Sequence, residues 1–174
     1  TTNGTLLKER AMKLAVAGLG RVTVSLDSLD AETYRDITRG GCLEDVMEGI
    51  FEADLAGLKP IKINCVLLRE WNLAEAVKLT RFALKQDWEL RFIEFMPLVK
   101  KLGIHPSAGV SMEELSARLT AEFGSLIPLG EAVGSTAERF KVKGYRGSIG
   151  FISPMSRRFH FSIVPALNFL KAKS

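Results

Sequence analysis

The sequence predicts an α/β protein built on a parallel sheet, either open or part of a (β/α) barrel. Two observations carry that expectation. A strand-like run followed by a helix-like run recurs roughly every 30–35 residues over the first hundred positions. The predicted strands also carry polar residues on one face, where a sheet covered on both sides would be almost continuously apolar. Three such strands cannot close a barrel, which takes about eight. Thr1-Thr2-Asn3-Gly4 reads as the end of a strand turning into a helix. The expectation is a partial (β/α) barrel whose N-terminal strands are missing, followed by an antiparallel C-terminal appendage.

Each element has its own reason. From Lys8 to Gly18, the residues Leu7, Ala11, Leu14, Ala15 and Gly18 follow helical spacing, with Asn3 or Thr5 to open the helix and Gly18 or Gly20 to end it. Arg21 to Leu26 alternates Val22, Val24 and Leu26 with Thr23, Ser25 and Asp27, which is strand periodicity. Asp30 caps a short helix to Ile37. Leu43 to Ala56 is amphipathic, with Val46, Met47, Ile50, Phe51 and Leu55 on one face, and Gly57 and Pro60 close it. Ile61 to Leu68 is a second strand. Leu73 to Lys85 is a helix with Asn72 as its expected cap, and Leu90 to Met96 is a third strand ended by Pro97.

The rhythm then breaks. Val99 to Val110 reads as a loop. Ser111-Met112-Glu113-Glu114 has the form of a capping box opening a helix to about Phe123. Gly144, Gly147 and Gly150 punctuate short strands at Arg139–Val142 and Ser148–Ser153, and Val164 to Lys173 is a further expected helix.

The chain has 174 residues, of which 47% are apolar and 25% charged. This balance supports a packed core and excludes whole-chain disorder. No apolar run reaches the ~18 residues of a membrane-spanning helix, and no signal-peptide pattern opens the chain. A cytoplasmic setting, or a mitochondrial one in a eukaryote, is the expectation. Cys42 and Cys65 alone supply neither a disulfide framework nor a four-cysteine metal site.

The net charge of +4 is unevenly placed. From residue 139 onward there are eight Lys and Arg and no acid, so the first 138 residues are net acidic. A basic end suits an anionic partner. Without interleaved aromatics it suits a small phosphorylated ligand rather than a nucleic acid.

Ser25 and Asp27 share one face of the first strand, Lys62 and Asn64 share one face of the second, and Arg91 and Glu94 interrupt the third. Unpaired charges are costly inside a fold. Such a set either lines a cavity for a polar ligand or forms internal ion pairs, with Lys62 and Arg91 pairing to Glu94 or Asp27. The C-terminal ends of parallel strands gather ligand sites, and Thr1, Asp27, Leu68 and Met96 fall near such ends. His105 and His160 show no metal-ligand spacing, and there is no P-loop, G-x-S-x-G or G-x-G-x-x-G motif.

Several segments come in the order and spacing of one enzyme family. They are Thr1-Thr2-Asn3-Gly4, Val24-Ser25-Leu26-Asp27-Ser28, Lys62-Ile63-Asn64-Cys65-Val66 and Arg91-Phe92-Ile93-Glu94-Phe95-Met96. Ser135-Thr136-Ala137-Glu138 and Gly147-Ser148-Ile149-Gly150-Phe151-Ile152-Ser153-Pro154-Met155 extend the match. Over residues 1–159 the chain resembles the radical SAM GTP 3',8-cyclases, which begin molybdenum cofactor biosynthesis.

The resemblance implies a partial radical SAM barrel over 1–98 and a C-terminal cyclase-type region over 99–174, divergent after 159. It implies two 4Fe-4S clusters and S-adenosylmethionine, whose adenosyl radical takes a ribose hydrogen from GTP. By resemblance, Thr1 and Lys62 contact GTP, and Ser25 and Met96 contact S-adenosylmethionine. The family's C-x-x-x-C-x-x-C motif does not occur in this sequence and would lie ahead of Thr1. After Phe159 the family's second cysteine motif and its arginines are replaced, with His160 and Ile163 at the cysteine places. The resemblance therefore implies that this stretch alone is catalytically silent, with a homodimer and the next enzyme of molybdopterin synthesis as expected partners. A shortened, non-catalytic relative that binds a nucleotide or a partner is the alternative.

Overall fold

The computed structural model describes residues 1–95, 108–130 and 137–153. Met96, His105, His160 and the expected helix at 164–173 lie outside the described residues.

The chain forms one six-stranded sheet in the order β1-β2-β3-β6-β5-β4. The strands are β1 (Val22–Ser25), β2 (Ile61–Leu67), β3 (Glu89–Glu94), β4 (Leu126–Pro128), β5 (Glu138–Val142) and β6 (Ser148–Ile152). β1, β2, β3 and β6 run parallel to one another, while β5 is antiparallel to β6 and β4 to β5. Parallel strands leading into antiparallel C-terminal strands match the expected class. The parallel pairing of β6 with β3 places the C-terminal strands inside the same sheet. β4 was not expected.

The opening residues continue the sheet. Thr2 bridges Val24 in parallel, donating its N–H to Thr23 O at 2.9 Å and accepting from Ser25 N at 3.0 Å. The segment then turns at Gly4, where φ is +86°, into α1 (Leu7–Val16).

Strand parity divides the sheet. Val24, Ile63, Cys65, Leu67, Leu90, Phe92, Ile149, Phe151 and Phe140 lie on one face, all at most 4% exposed. Helices α1, α3 (Leu43–Leu55), α4 (Ala76–Lys85) and α5 (Met112–Phe123) supply the rest of this core through Leu7, Ile50, Leu79, Leu84, Leu115 and Leu119. Each such side chain fully buried contributes about 1.5–3 kcal/mol. Trp88 sits at the start of β3, its ring 5.5 Å from both Phe51 and Phe82.

Local signals set the helix starts. Asp30 accepts the Thr33 N–H at 2.9 Å to open α2 (Ala31–Thr38), and Ser111 accepts the Glu114 N–H at 3.2 Å to open α5. Asn72 stands at the N-cap position of the helical segment from Leu73, but its side chain makes no capping hydrogen bond. A 3-10 turn at Leu73–Glu75 precedes α4. The Asn72 side chain accepts from Leu68 N at 2.8 Å and donates to Asp27 O and Val66 O at 2.8 and 2.9 Å. It ties the ends of β1 and β2 together.

α1 and α3 meet at two glycines. A Cβ on Gly49 would stand 2.8 Å from Gly4 O and 3.0 Å from Leu7 Cβ. Because backbone cannot yield as a side-chain tip can, Gly49→Ala is expected to cost about 1–3 kcal/mol in urea unfolding. An unchanged midpoint would show that the two helices part freely.

Candidate ligand-binding site

The second face of the sheet is polar. Register places Thr23 beside Lys62 and Glu89, and Ser25 beside Asn64 and Arg91. It continues through Ser148 and Gly150 of β6 to Lys141 and Arg139 of β5. Thr1 falls on the same parity, one residue before the Thr2 bridge. The alternation that sends apolar side chains under the helices thus brings Thr1, Ser25 and Lys62 onto one surface. Ser25 and Lys62 are half-buried and Thr1 is exposed. Met96 lies outside the described residues.

The internal ion pair differs from the two expected alternatives. Arg91 pairs with Glu89, Nε to Oε1 at 2.5 Å, rather than with Glu94 or Asp27. The second Glu89 oxygen lies 3.2 Å from Arg139 Nε, without hydrogen-bond alignment. Glu89 is 5% exposed, so its charge is held by two cations from different strands. Gly150 makes this possible: a Cβ there would come within 3.2 Å of Arg91 Cγ.

Glu94 has the parity of the helix-covered face and accepts from Ser153 Oγ at 2.8 Å. Asp27 accepts the Val66 N–H at 2.8 Å, replacing the next ladder bond beyond β1. Neither carboxylate is available to Lys62.

Lys62 has no ion pair among the described residues. Burial lowers its pKa, and the neighbouring Arg91 lowers it further against the opposing pull of Glu89. Asn64 Oδ1 is buried without a hydrogen-bond partner. A partly buried cation outside any ion pair and an orphaned amide oxygen, which calls for a donor, share one face of the sheet.

The cysteines do not meet. Cys42 is exposed just before α3, while Cys65 is buried in mid-β2 on the helix-covered face. Burial pushes the Cys65 thiol well above its ordinary value. Among the described residues, no three His, Cys, Asp or Glu side chains gather as metal ligands. These residues do not fit an iron–sulfur cluster, which takes several thiolates converging on one point.

Glu89 and Arg139 extend the site beyond the candidate residues of the sequence, among which Asn64 already stood beside Lys62. The alternations Glu89-Leu90-Arg91 and Arg139-Phe140-Lys141 carried the signal, because each sets charges opposite core residues.

Residues 1–83 match the radical SAM superfamily model, and residues 88–161 match the Molybdenum Cofactor Synthesis C model. The parallel strands and these matches make the chain similar to radical SAM superfamily proteins. Among relatives, the GTP 3',8-cyclase of Thermodesulfovibrio yellowstonii is 45% identical over 156 residues, covering 90% of this chain and 48% of that protein. That of Pelotomaculum thermopropionicum is 40% identical over 160 residues, covering 91% and 49%. That of Moorella thermoacetica is 41% identical over 160 residues, also covering 91% and 49%. The chain is thus similar to GTP 3',8-cyclases over 90–91% of its own length. It spans about half the length of the relatives it matches. Among the described residues, no helix is long and apolar enough to cross a membrane.

Two outcomes are expected. A thiol reagent labels Cys42 in the native chain and reaches Cys65 only in denaturant; rapid labelling of both would contradict the burial of Cys65. Burial raises the Asp27 pKa, against the lowering effect of the Val66 N–H. The folded chain therefore holds this proton more tightly than the unfolded chain. The associated stability is fully present below the unfolded carboxylate range and is lost as pH rises through it towards the folded value. Asp27→Asn, which keeps an oxygen for Val66, is expected to unfold at higher urea than the parent near pH 7. That gap narrows towards about pH 4; a constant gap would remove Asp27 as its cause.

Proposed function

We propose that the polar face of the sheet holds GTP and the adenosyl part of S-adenosylmethionine. The chain thereby contributes a ligand-binding wall to a GTP 3',8-cyclase at the first step of molybdenum cofactor biosynthesis. The observation that carries this reading is Lys62: a half-buried ammonium with no counter-ion among the described residues. A phosphate oxygen would supply the missing negative charge, and the orphaned Asn64 oxygen beside Ser25 would accept a ligand donor.

In this reading Lys62 and the Thr1 hydroxyl contact GTP, while Ser25 and Met96 contact S-adenosylmethionine. When bound, that cofactor supplies the adenosyl group from which the family's hydrogen-abstracting radical comes. The protein's own part is to neutralise the phosphate charge, fix the ribose against the adenosyl carbon and limit water on this face. Residues 1–98 form the partial barrel and 99–174 the C-terminal cyclase-type region. The product passes to the next enzyme of molybdopterin synthesis, and the setting is cytoplasmic. A homodimer is the proposed assembly.

Separation of Cys42 from Cys65 favours one second reading. These 174 residues bind the nucleotide without performing radical chemistry themselves.

Isothermal titration with GTP tests the reading. Loss of one charge-assisted contact of about 1.5–3 kcal/mol predicts roughly 10- to 100-fold weaker binding for Lys62→Ala. Equal binding by the variant would take Lys62 out of the site, and absence of GTP binding by the parent chain would sink the proposal.

A further inference from the structure

We infer that Arg139 of β5, aimed by Glu89, is a further phosphate-binding residue for the polyphosphate tail of a nucleoside triphosphate. The inference rests on the nucleotide reading above and names which end of the nucleotide the right-hand part of the sheet receives.

The polar face is charge-unbalanced where β2, β3, β6 and β5 meet. Lys62, Arg91 and Arg139 surround one carboxylate, Glu89. Arg91 and Arg139 are 14% and 27% exposed at the side chain, and Glu89 is 6% exposed. Arg91 is satisfied by a short, aligned bond to Glu89. Arg139 is not: its Nε lies 3.2 Å from Glu89 Oε2, yet that buried donor has no hydrogen-bond partner. Its charge is steered by the carboxylate while its donor remains unspent. A guanidinium in this state is ready for a second anion, because its forked donors match phosphate oxygens.

The surroundings are consistent with an extended anion. Arg91 and Arg139 both lower the Lys62 pKa, so the three cations act on one another. Each would be relieved by negative charge placed between them. Gly150 lies between Arg91 and Arg139 in register, and its missing side chain lets Arg91 Cγ lie close over β6, 3.2 Å from where a Cβ would stand.

Past Arg139, a cleft of about 390 Å³ opens at the starting ends of β2, β3 and β6. Its charged lining is Lys59, Arg139, Lys141 and Arg146 together with Asp54, Asp87 and Glu89. Lys141 already donates to the Arg146 carbonyl, so Arg139 is the cleft cation with an unspent buried donor. Lys62, Arg91 and Arg139 thus stand on three strands of one face, with the cleft beyond them.

The test is titration of the 174-residue chain with inorganic tripolyphosphate and, separately, with GTP. The variants are Arg139→Gln and Arg139→Lys, with the exposed Lys143→Gln as a control for net charge. The expected result is at least tenfold weaker tripolyphosphate binding for Arg139→Gln, an intermediate loss for Arg139→Lys, which keeps the charge but not the fork, and no change for Lys143→Gln. Thermal unfolding accompanies each variant; if Arg139→Gln does not fold, Arg139→Lys carries the comparison, and tripolyphosphate binding by it equal to the parent's then overturns the inference. It is also overturned if the parent chain does not bind tripolyphosphate, or if Arg139→Gln and Lys143→Gln bind it alike. If Arg139→Gln weakens tripolyphosphate while GTP binds no more tightly than tripolyphosphate, the phosphate assignment stands and the nucleotide reading fails. If GTP binds and Arg139→Gln leaves it unaltered, the nucleotide reading stands and the assignment of Arg139 fails.

Discussion

Successive side chains on a strand point to opposite faces, and the helices cover one of those faces. Five consecutive strands in the sheet therefore reserve one parity for Val, Ile, Leu, Phe and Cys. Whatever occupies the other parity is excluded from the core. Ser25, Lys62, Asn64, Glu89, Arg91 and Arg139 fall on that second parity and share a surface although 114 positions separate the first from the last. A one-residue slip at any strand would drive a charge into the helices, so the apolar core fixes the polar face as firmly as it fixes itself.

Glu89 is the electrostatic counterpart of that constraint. Its two oxygens face guanidinium groups on β3 and β5, across the intervening β6. Removing one member of such a buried set strands a charge and costs about 3–5 kcal/mol, whereas the intact set adds little net stability. Its contribution lies in geometry. It joins the strands on both sides of β6 and holds two cations on the ligand-facing surface. Asn72 does similar work at the opposite end of the parallel strands, where one amide satisfies backbone groups of residues 27, 66 and 68.

Much of this was legible in the sequence because the decisive information is local. The caps at Asp30 and Ser111 depend on a side chain three residues from its target, and strand periodicity depends on adjacent residues. The bonds of Asn72 were not legible, because an amide at the start of a helix looks the same whether its side chain caps the helix or reaches back to two strands. β4 escaped notice because three residues containing a proline carry no periodicity. The placement of β6 beside β3 depends on chain segments 59 residues apart, as between Phe92 and Phe151. The partner of Arg91 is local instead: Glu89 lies two residues away on the same face of β3, whereas Glu94 has the opposite parity.

The position of β6 also governs the order in which the fold is completed. It is the last described strand in the chain, yet it lies inside the sheet between β3 and β5. A ribosome releases β1, β2 and β3 early, and one edge of β3 then waits for a partner some 55–60 residues further along the chain. During that interval Leu90 and Phe92 flank an unpaired strand edge, which is the kind of surface that joins neighbouring nascent chains. The closing contact is both non-local and parallel, the slowest type to form. The yield of folded chain is therefore decided at the seam between β3 and β6, and slow synthesis or scarce chaperone acts there before it affects any ligand site.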